Sequence, residues 1–314
     1  MKRRFFLTLA GAPFPFLLDA QGASPQTLIY RSAGGCEIRA DVYGAAAGAS
    51  KPAVMWIHGG ALISGSRKSL GGKFHQALLE AGYAVVSIDY RLAPETKLPG
   101  IVEDTQEAWR WLHRESVSRF GIDPKCIAVG GGSAGGYLTL MCGFAVDPIP
   151  RALVSYYGYG DITTPWYAEP DEFYRKSPLV SNDEAYGSVG AAPLSEPPER
   201  HQRGRFYLYC RQQGLWPIEV AGRDPRKEPA WFDRFCPIRN VTGEYPPTLL
   251  IHGTEDTDVP YSESKNMAEK LARSGVSHEF ITVSGAGHGL SGARSEETSR
   301  IASRAVAFVR TNTT

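Results

Sequence analysis

The strongest constraint on this chain is an alternation that runs through most of its 314 residues. Short apolar runs bounded by Gly, Pro or Asp take turns with segments whose apolar residues recur every three or four positions. The runs cover residues 27–31, 36–43, 53–58, 84–89, 126–130, 152–157, 248–251 and 278–283. Several, such as 53–57, are apolar throughout, which suits a strand covered on both faces in a parallel sheet. The helix-period segments are 72–81, 102–119, 134–144, 261–274 and 296–310. In the second of these, Ala108, Trp111 and Leu112 share one face and leave Glu107, Arg110 and Arg114 for solvent. Strands alternating with helices require right-handed crossovers, hence a mainly parallel sheet with helices on both faces. The first two runs have no helix between them and are expected to form an antiparallel hairpin at one edge.

The alternation fails between residues 161 and 244, where Pro, aromatic and charged residues show no clean period. A structureless loop of that length is improbable in a compact domain, so an insertion with some helix of its own, for example 203–213, is expected over one end of the sheet. Its aromatics, among them Trp166, Tyr167, Tyr174, Tyr207 and Trp216, are too many to be all exposed. The expected organisation is a core of 24–160 and 245–314, a cap or lid of 161–244, and a leader of 1–23. The leader opens Met1-Lys-Arg-Arg and continues with an apolar run, 5–18, that is too short to span a bilayer and is followed by small residues. It reads as an export signal of twin-arginine type, so the mature protein is expected in the periplasm or outside the cell.

Lys and Arg total 34 against 33 Asp and Glu, a net charge of +1. That balance argues against nucleic acid as the main partner, because a phosphate backbone calls for a strongly basic face. Of the five cysteines, Cys36, Cys126 and Cys142 fall in expected strands or helices and read as small core residues. Cys210 and Cys236 share the insertion and are free to pair after export. No spacing is of the zinc-binding or thioredoxin kind.

The chemistry is concentrated at one turn. Residues 127–130 are strand-like, Gly131-Gly-Ser133-Ala-Gly135-Gly136 follows, and a helix begins at once. A serine on a sharp strand-to-helix bend projects its oxygen above the sheet edge, and flanking glycines keep side chains out of the fold-back. The helix N-terminus brings free N–H groups and positive potential. The same letters fit GxGxxG, but that fingerprint belongs to the first βα turn and wants an acid about 20 residues on, where this chain has 152–158 without one.

Other signals stand at the ends of further strands. Trp56-Ile-His58-Gly59-Gly60-Ala61 offers backbone N–H groups that pair with that of Ala134 to hold an oxyanion; His58 itself reads as a structural residue. Residues 252–260 place Glu255, Asp256 and Asp258 just past the seventh strand, and His288 sits in a glycine loop after the last. A serine needs a base and the base an orienting carboxylate. Ser133, Asp256 and His288 lie in that order at strand C-terminal ends, where sites assemble in open α/β sheets. Asp258 is the second choice of acid, and His252 is expected to brace the turn. A metal site built from the three acids lacks completing ligands.

Together His58-Gly-Gly-Ala61, Asp89-Tyr-Arg-Leu-Ala-Pro-Glu95, Gly131-Gly-Ser-Ala-Gly-Gly136, His252-Gly-x-x-Asp256-x-x-Val-Pro260 and Gly285-Ala-Gly-His288-Gly resemble the α/β-hydrolases, in particular the BD-FAE-like carboxylesterases and the hormone-sensitive lipase family. Ala61 and Gly132 depart from the lipase pattern and favour the BD-FAE-like branch. The resemblance implies an eight-stranded α/β-hydrolase fold with a cap insertion after strand 6. It implies Ser133 as nucleophile, His288 as base, Asp256 as third member and Gly59, Gly60 and Ala134 as oxyanion donors. No cofactor or metal is implied, and Asp89 and Arg91 are expected to anchor a loop. The expected partner is a small or carbohydrate-linked ester. A peptidase of the same fold, or a binding protein without catalysis, are the alternatives.

Overall fold

The computed structural model describes residues 24–197 and 203–313; the expected leader lies outside them. Eight strands form one sheet in the order β1-β2-β4-β3-β5-β6-β7-β8. They are β1 Gln26–Ala33, β2 Cys36–Tyr43, β3 Lys51–Ile57, β4 Ala84–Ile88, β5 Ile122–Gly132, β6 Leu153–Tyr156, β7 Thr248–Gly253 and β8 His278–Val283. β1 and β2 make the expected edge hairpin; β2 also runs antiparallel to β4, and all remaining neighbours are parallel.

The helices are α1 Lys73–Glu80, α2 Leu98–Glu115, α3 Ala134–Ala145, α4 Pro165–Ala168, α5 Asn182–Tyr186, α6 Gly204–Gln213, α7 Trp216–Ala221, α8 Pro237–Asn240, α9 Tyr261–Arg273 and α10 Ser295–Thr313. Strand pleating sends alternate side chains to opposite faces. In β3, Ala53, Met55 and Ile57 join the core layer beneath α2, α3 and α9, while Val54 and Trp56 join the layer shared with α1 and α10. Both faces are therefore covered, as the continuous apolar runs require.

Two elements depart from the sequence expectation by four residues, the others by three or fewer. β5 begins four residues early, because Ile122 still pairs with Lys51 beyond an irregularity in the ladder. The second helix begins at Leu98 with Pro99 in its first turn and yields at Ser116 to a π-helical turn through Phe120, closed by Gly121 at φ +60°. In that helix Ala108, Trp111 and Leu112 are buried and Arg110 and Arg114 exposed, as expected.

Between β6 and β7 the chain carries α4 to α8. Tyr167, Phe206, Trp216 and Phe232 are all buried and continuous with the core on the α3 side. Trp166, Tyr167 and Trp216 stack face to face, at 3.5 and 4.0 Å between successive ring centroids. All five cysteines are free; Cys210 is buried in α6 and the Cys236 thiol donates to the Asp161 carboxylate at 3.4 Å, so the two do not pair. Cys126 is only half-buried, since its end of β5 runs out toward solvent.

Candidate active site

Ser133 sits between the last residue of β5 and the first of α3, at φ +56° and ψ −122°. A non-glycine residue holds that conformation only where its surroundings enforce it. The enforcement is close packing: a Cβ at Gly135 would lie 2.0 Å from the Ile57 carbonyl oxygen, and one at Gly131 would lie 2.4 Å from that of Gly135. The glycines let α3 rise directly off β3 and β5, which turns the Ser133 hydroxyl outward.

His288 lies just past Gly287 in the loop that follows β8. Its Nε2 is 3.0 Å from Ser133 Oγ, and its Nδ1 is 2.8 Å from Asp256 Oδ2. The other Asp256 oxygen accepts the backbone N–H groups of Asp258 and Val259, each at 2.9 Å. His252 backs this turn: Nε2 lies 3.2 Å from Asp256 Oδ2 and 3.1 Å from the Val259 carbonyl, and Nδ1 lies 2.8 Å from the Ser264 hydroxyl. Burial works against charge on Asp256, but hydrogen bonds from His252 and His288 outweigh it and hold the carboxyl well below its usual range. For His288, burial disfavours the imidazolium, yet the Asp256 hydrogen bond and the charges of Asp258 and Asp256 win and raise its pKa.

The Gly59–Gly60 turn meets this arrangement from β3. A Cβ at Gly59 would lie 2.8 Å from the Gly132 carbonyl oxygen and 3.2 Å from Ser133 Cβ, so the Gly59 backbone abuts the serine. Gly60 (φ +111°), Ala61 (φ +56°) and Leu62 (φ +62°) form a left-handed run. The run is pinned from several sides: Trp216 Nε1 donates to the Ala61 carbonyl at 2.9 Å, Ala93 N to that of Leu62 at 2.8 Å, and Arg203 Nη1 to that of Ile63 at 2.9 Å. Arg203 also pairs with Glu95, both fully buried. Ala134, as the first residue of α3, has an N–H without an intrahelical acceptor.

His58 takes the structural place expected of it. Its ring stacks on Tyr90 at 4.2 Å, Nδ1 donates to the Gly59 carbonyl at 2.7 Å, and burial pushes its pKa down to about 4. The 89–95 segment anchors the loops beside it. Asp89 accepts from the backbone and side chain of Arg67, the Tyr90 hydroxyl donates to the His58 carbonyl at 3.0 Å, and Arg91 forks onto fully buried Asp104.

Of the acids in the 255–258 loop, Asp256 takes the Nδ1 side of His288. Asp258 stands on the other side, its Oδ2 3.4 Å from Nε2. Sequence reasoning missed the groups that hold Asp258: Tyr174, Tyr207 and Arg211, all from the aperiodic segment. It also missed Tyr157, whose ring meets His288 edge-on at 4.9 Å. The excess of aromatics in 161–244 was a signal for Tyr174 and Tyr207; nothing in the sequence singled out Arg211 or Tyr157. Among the described residues, no group of three or more His, Cys, Asp or Glu is arranged to hold a metal ion, and no helix is long and apolar enough to cross a membrane.

The chain has similar counterparts among known proteins. The BD-FAE family model matches residues 40–160, and the prolyl oligopeptidase family model matches 207–313. Esterase LipC of Mycobacterium tuberculosis is 30% identical over 256 residues, 79% of this chain and 56% of that protein. The non-reducing polyketide synthase ausA of Aspergillus calidoustus is 28% identical over 334 residues, 90% of this chain, which spans only 14% of the synthase. Among solved structures, the thermostable carboxylesterase EstE1 from a metagenomic library superposes with a TM-score of 0.68 at 24% identity, covering 93% of this chain and 90% of that one. The eight-stranded sheet and the superposed structure agree on the α/β-hydrolase fold, and in sequence the chain is similar to the BD-FAE and prolyl oligopeptidase family models and to an esterase of which it spans about half the length.

Proposed function

We propose that this protein is a serine hydrolase that cleaves carboxylic esters through an acyl-enzyme. The observation that carries the reading is the unbroken hydrogen-bonded chain from Ser133 Oγ through both nitrogens of His288 to Asp256. In it, Asp256 fixes the tautomer with the proton on Nδ1 and leaves Nε2 as the acceptor of the serine proton. Ser133 Oγ then attacks the acyl carbon, and the resulting oxyanion rests on the N–H groups of Gly59, Gly60 and Ala134. Collapse passes the Nε2 proton to the leaving alcohol, and water repeats the sequence to free the acid and Ser133. This chemistry is complete with the chain's own residues.

Substrates to try first are acyl esters of sugars and of phenolic acids beside simple acetyl and longer acyl esters, since the insertion over the site is rich in aromatic and polar groups. The match of the C-terminal third to the prolyl oligopeptidase family favours a second reading, peptide-bond hydrolysis with the same three residues. Ser133→Ala decides the mechanism: p-nitrophenyl acetate turnover and covalent labelling by a fluorophosphonate should both vanish, a loss on the order of 10⁶ in rate. A variant that keeps near-normal turnover refutes it. Comparing aminoacyl esters with the matching amides on the intact protein separates esterase from peptidase. Export is part of the reading and rests on the 1–23 segment alone; recovery of the protein with that segment intact from the cytoplasm would end it.

A further inference from the structure

The loop after β7 gives His288 two carboxylates, and only one belongs to the triad read above. Asp258 Oδ1 is occupied three times over: by the Tyr174 hydroxyl at 2.7 Å, by the Tyr207 hydroxyl, and by Arg211 Nη1 at 2.8 Å. The same Arg211 nitrogen also donates to the Asp258 backbone carbonyl at 2.9 Å. Arg211 is itself buried, paired with Asp171, and ringed by Trp166, Tyr167, Tyr174 and Tyr207 at 4.6 to 5.8 Å from their centroids. Such a cage fixes the carboxylate rigidly and turns Oδ2 toward Nε2 of His288, 3.4 Å away. Nε2 is the nitrogen that faces Ser133, so Asp258 stands where the travelling proton is held.

We propose that Asp258 is a positioning residue for His288: it stabilises the imidazolium from the Nε2 side and sets the ring's proton affinity, with Arg211, Tyr174 and Tyr207 tuning its strength. The inference rests on His288 being the base in the reading above. In the free protein Oδ2 favours the protonated ring. After Ser133 gives its proton to Nε2, the imidazolium has the Oδ2 charge beside it, 3.4 Å from Nε2; the proton stays on nitrogen until the leaving oxygen takes it. The charged and titratable groups facing the ring are Asp256 with His252 behind it, Asp258, and Arg211 from α6 with its second partner Asp171. The phenols of Tyr174 and Tyr207 reach it through Asp258, and the Tyr157 ring covers an edge. Of these, Asp256 and Asp258 raise the proton affinity of the ring, and Arg211 lowers it.

Asp258→Asn keeps Oδ1 as acceptor for Arg211 and the tyrosines but removes the negative charge and leaves Arg211 less compensated. The acid limb of kcat/KM against pH should therefore move down, by about one pH unit for a charge at this spacing in well-screened surroundings. At one unit below the original midpoint, the variant then loses much less of its plateau rate than the intact protein does. Tyr174→Phe removes one donor from Oδ1, strengthens the charge that Oδ2 presents, and should move the limb up by a few tenths of a unit. A merely structural role lowers kcat/KM at every pH and leaves both midpoints in place.

The experiment measures both profiles with p-nitrophenyl acetate and, independently of turnover, the ¹⁵N titration of the His288 ring in the Ser133→Ala protein with and without Asp258→Asn. Opposite shifts for the two variants and a matching drop in the ring titration support the inference. A ring titration unmoved by Asp258→Asn, or both variants shifting the limb the same way, overturns it. A ring titration that drops in a protein that hydrolyses no ester supports the coupling and overturns the hydrolase reading instead.

Discussion

The Gly59–Gly60 turn is held in part through Ala61 by a residue 155 positions further along the chain, and that makes Trp216→Phe a demanding test. Trp216 is fully buried, lies flat on Tyr167 at 4.0 Å, and gives its one N–H to the Ala61 carbonyl at 2.9 Å. Phenylalanine keeps the stack but cannot donate. Losing roughly 40 Å³ of ring at about 24 cal/mol/Å³ costs about 1 kcal/mol. Leaving the buried Ala61 carbonyl without its partner adds on the order of 1–3 kcal/mol. The expected total is about 2–4 kcal/mol, measured by equilibrium urea unfolding. The kinetic effect is more informative. Ala61 and Leu62 hold left-handed conformations that a free loop would abandon, and their relaxation would carry Gly59 and Gly60 off the position where an oxyanion forms. A fall in kcat of about tenfold with KM little changed is expected, well short of the 10²–10³ for outright loss of one donor. A fall in stability by the stated amount with kcat untouched would refute the coupling, because the turn would then owe its shape to Arg203 and the 89–95 segment alone.

The packing and the charges set four further outcomes. Asp256→Asn should cut kcat on the order of 10⁴ by allowing the wrong His288 tautomer, while far-ultraviolet circular dichroism stays native; the intact protein's kcat/KM should rise with pH around a midpoint above the ordinary histidine value of about 6.5, because its partners raise the His288 pKa. Gly135→Ala would put a methyl 2.0 Å from the Ile57 carbonyl oxygen and 2.7 Å from that of His58, so a loss of more than about 3 kcal/mol or failure to fold is expected from a thermal melt. Glu263 is buried against the Gly160 and Asp161 N–H groups, and burial pushes its pKa up to about 7, so its folded form binds a proton that the unfolded chain gives up lower on the pH scale. Stability is then lost as pH rises through that window, and Glu263→Gln should match the intact protein near pH 5 but exceed it near pH 8 by up to about 3 kcal/mol in paired unfolding curves.

What the sequence disclosed and what it withheld divide along a physical line. Strand β3, the Ser133 turn and the His288 loop were legible because each is dictated locally: a doubly buried strand must be apolar, and a fold-back must be glycine. Ser133, Asp256 and His288 could be paired across the chain because parallel topology sends every β7 and β8 end to the same rim as β5. Asp104 shows the opposite case. It sits on the buried face of α2, which periodicity assigns to apolar residues, because Arg31 and Arg91 reach it from β1 and the 89–95 segment. No pattern within the helix carries that information.

The 161–244 segment withheld most for the same reason. Arg211 lies in a helix that reads as amphipathic at best, yet its guanidinium is buried among four rings and two carboxylates supplied by 166–174, 207 and 258. A buried charge is tolerable only when every partner arrives together, and that coincidence is a property of the folded chain rather than of any stretch of it. The consequence bears on the site. Asp258 follows Asp256 by two residues, so the turn that aims one carboxylate at Nδ1 must also carry the other. Left free, a second carboxylate in this loop could compete with the first for the imidazole. Held by Arg211 and two phenols, it is confined to the Nε2 side by residues from the one region where periodicity fails, while Asp256, the sequence's first choice of acid, keeps the Nδ1 side.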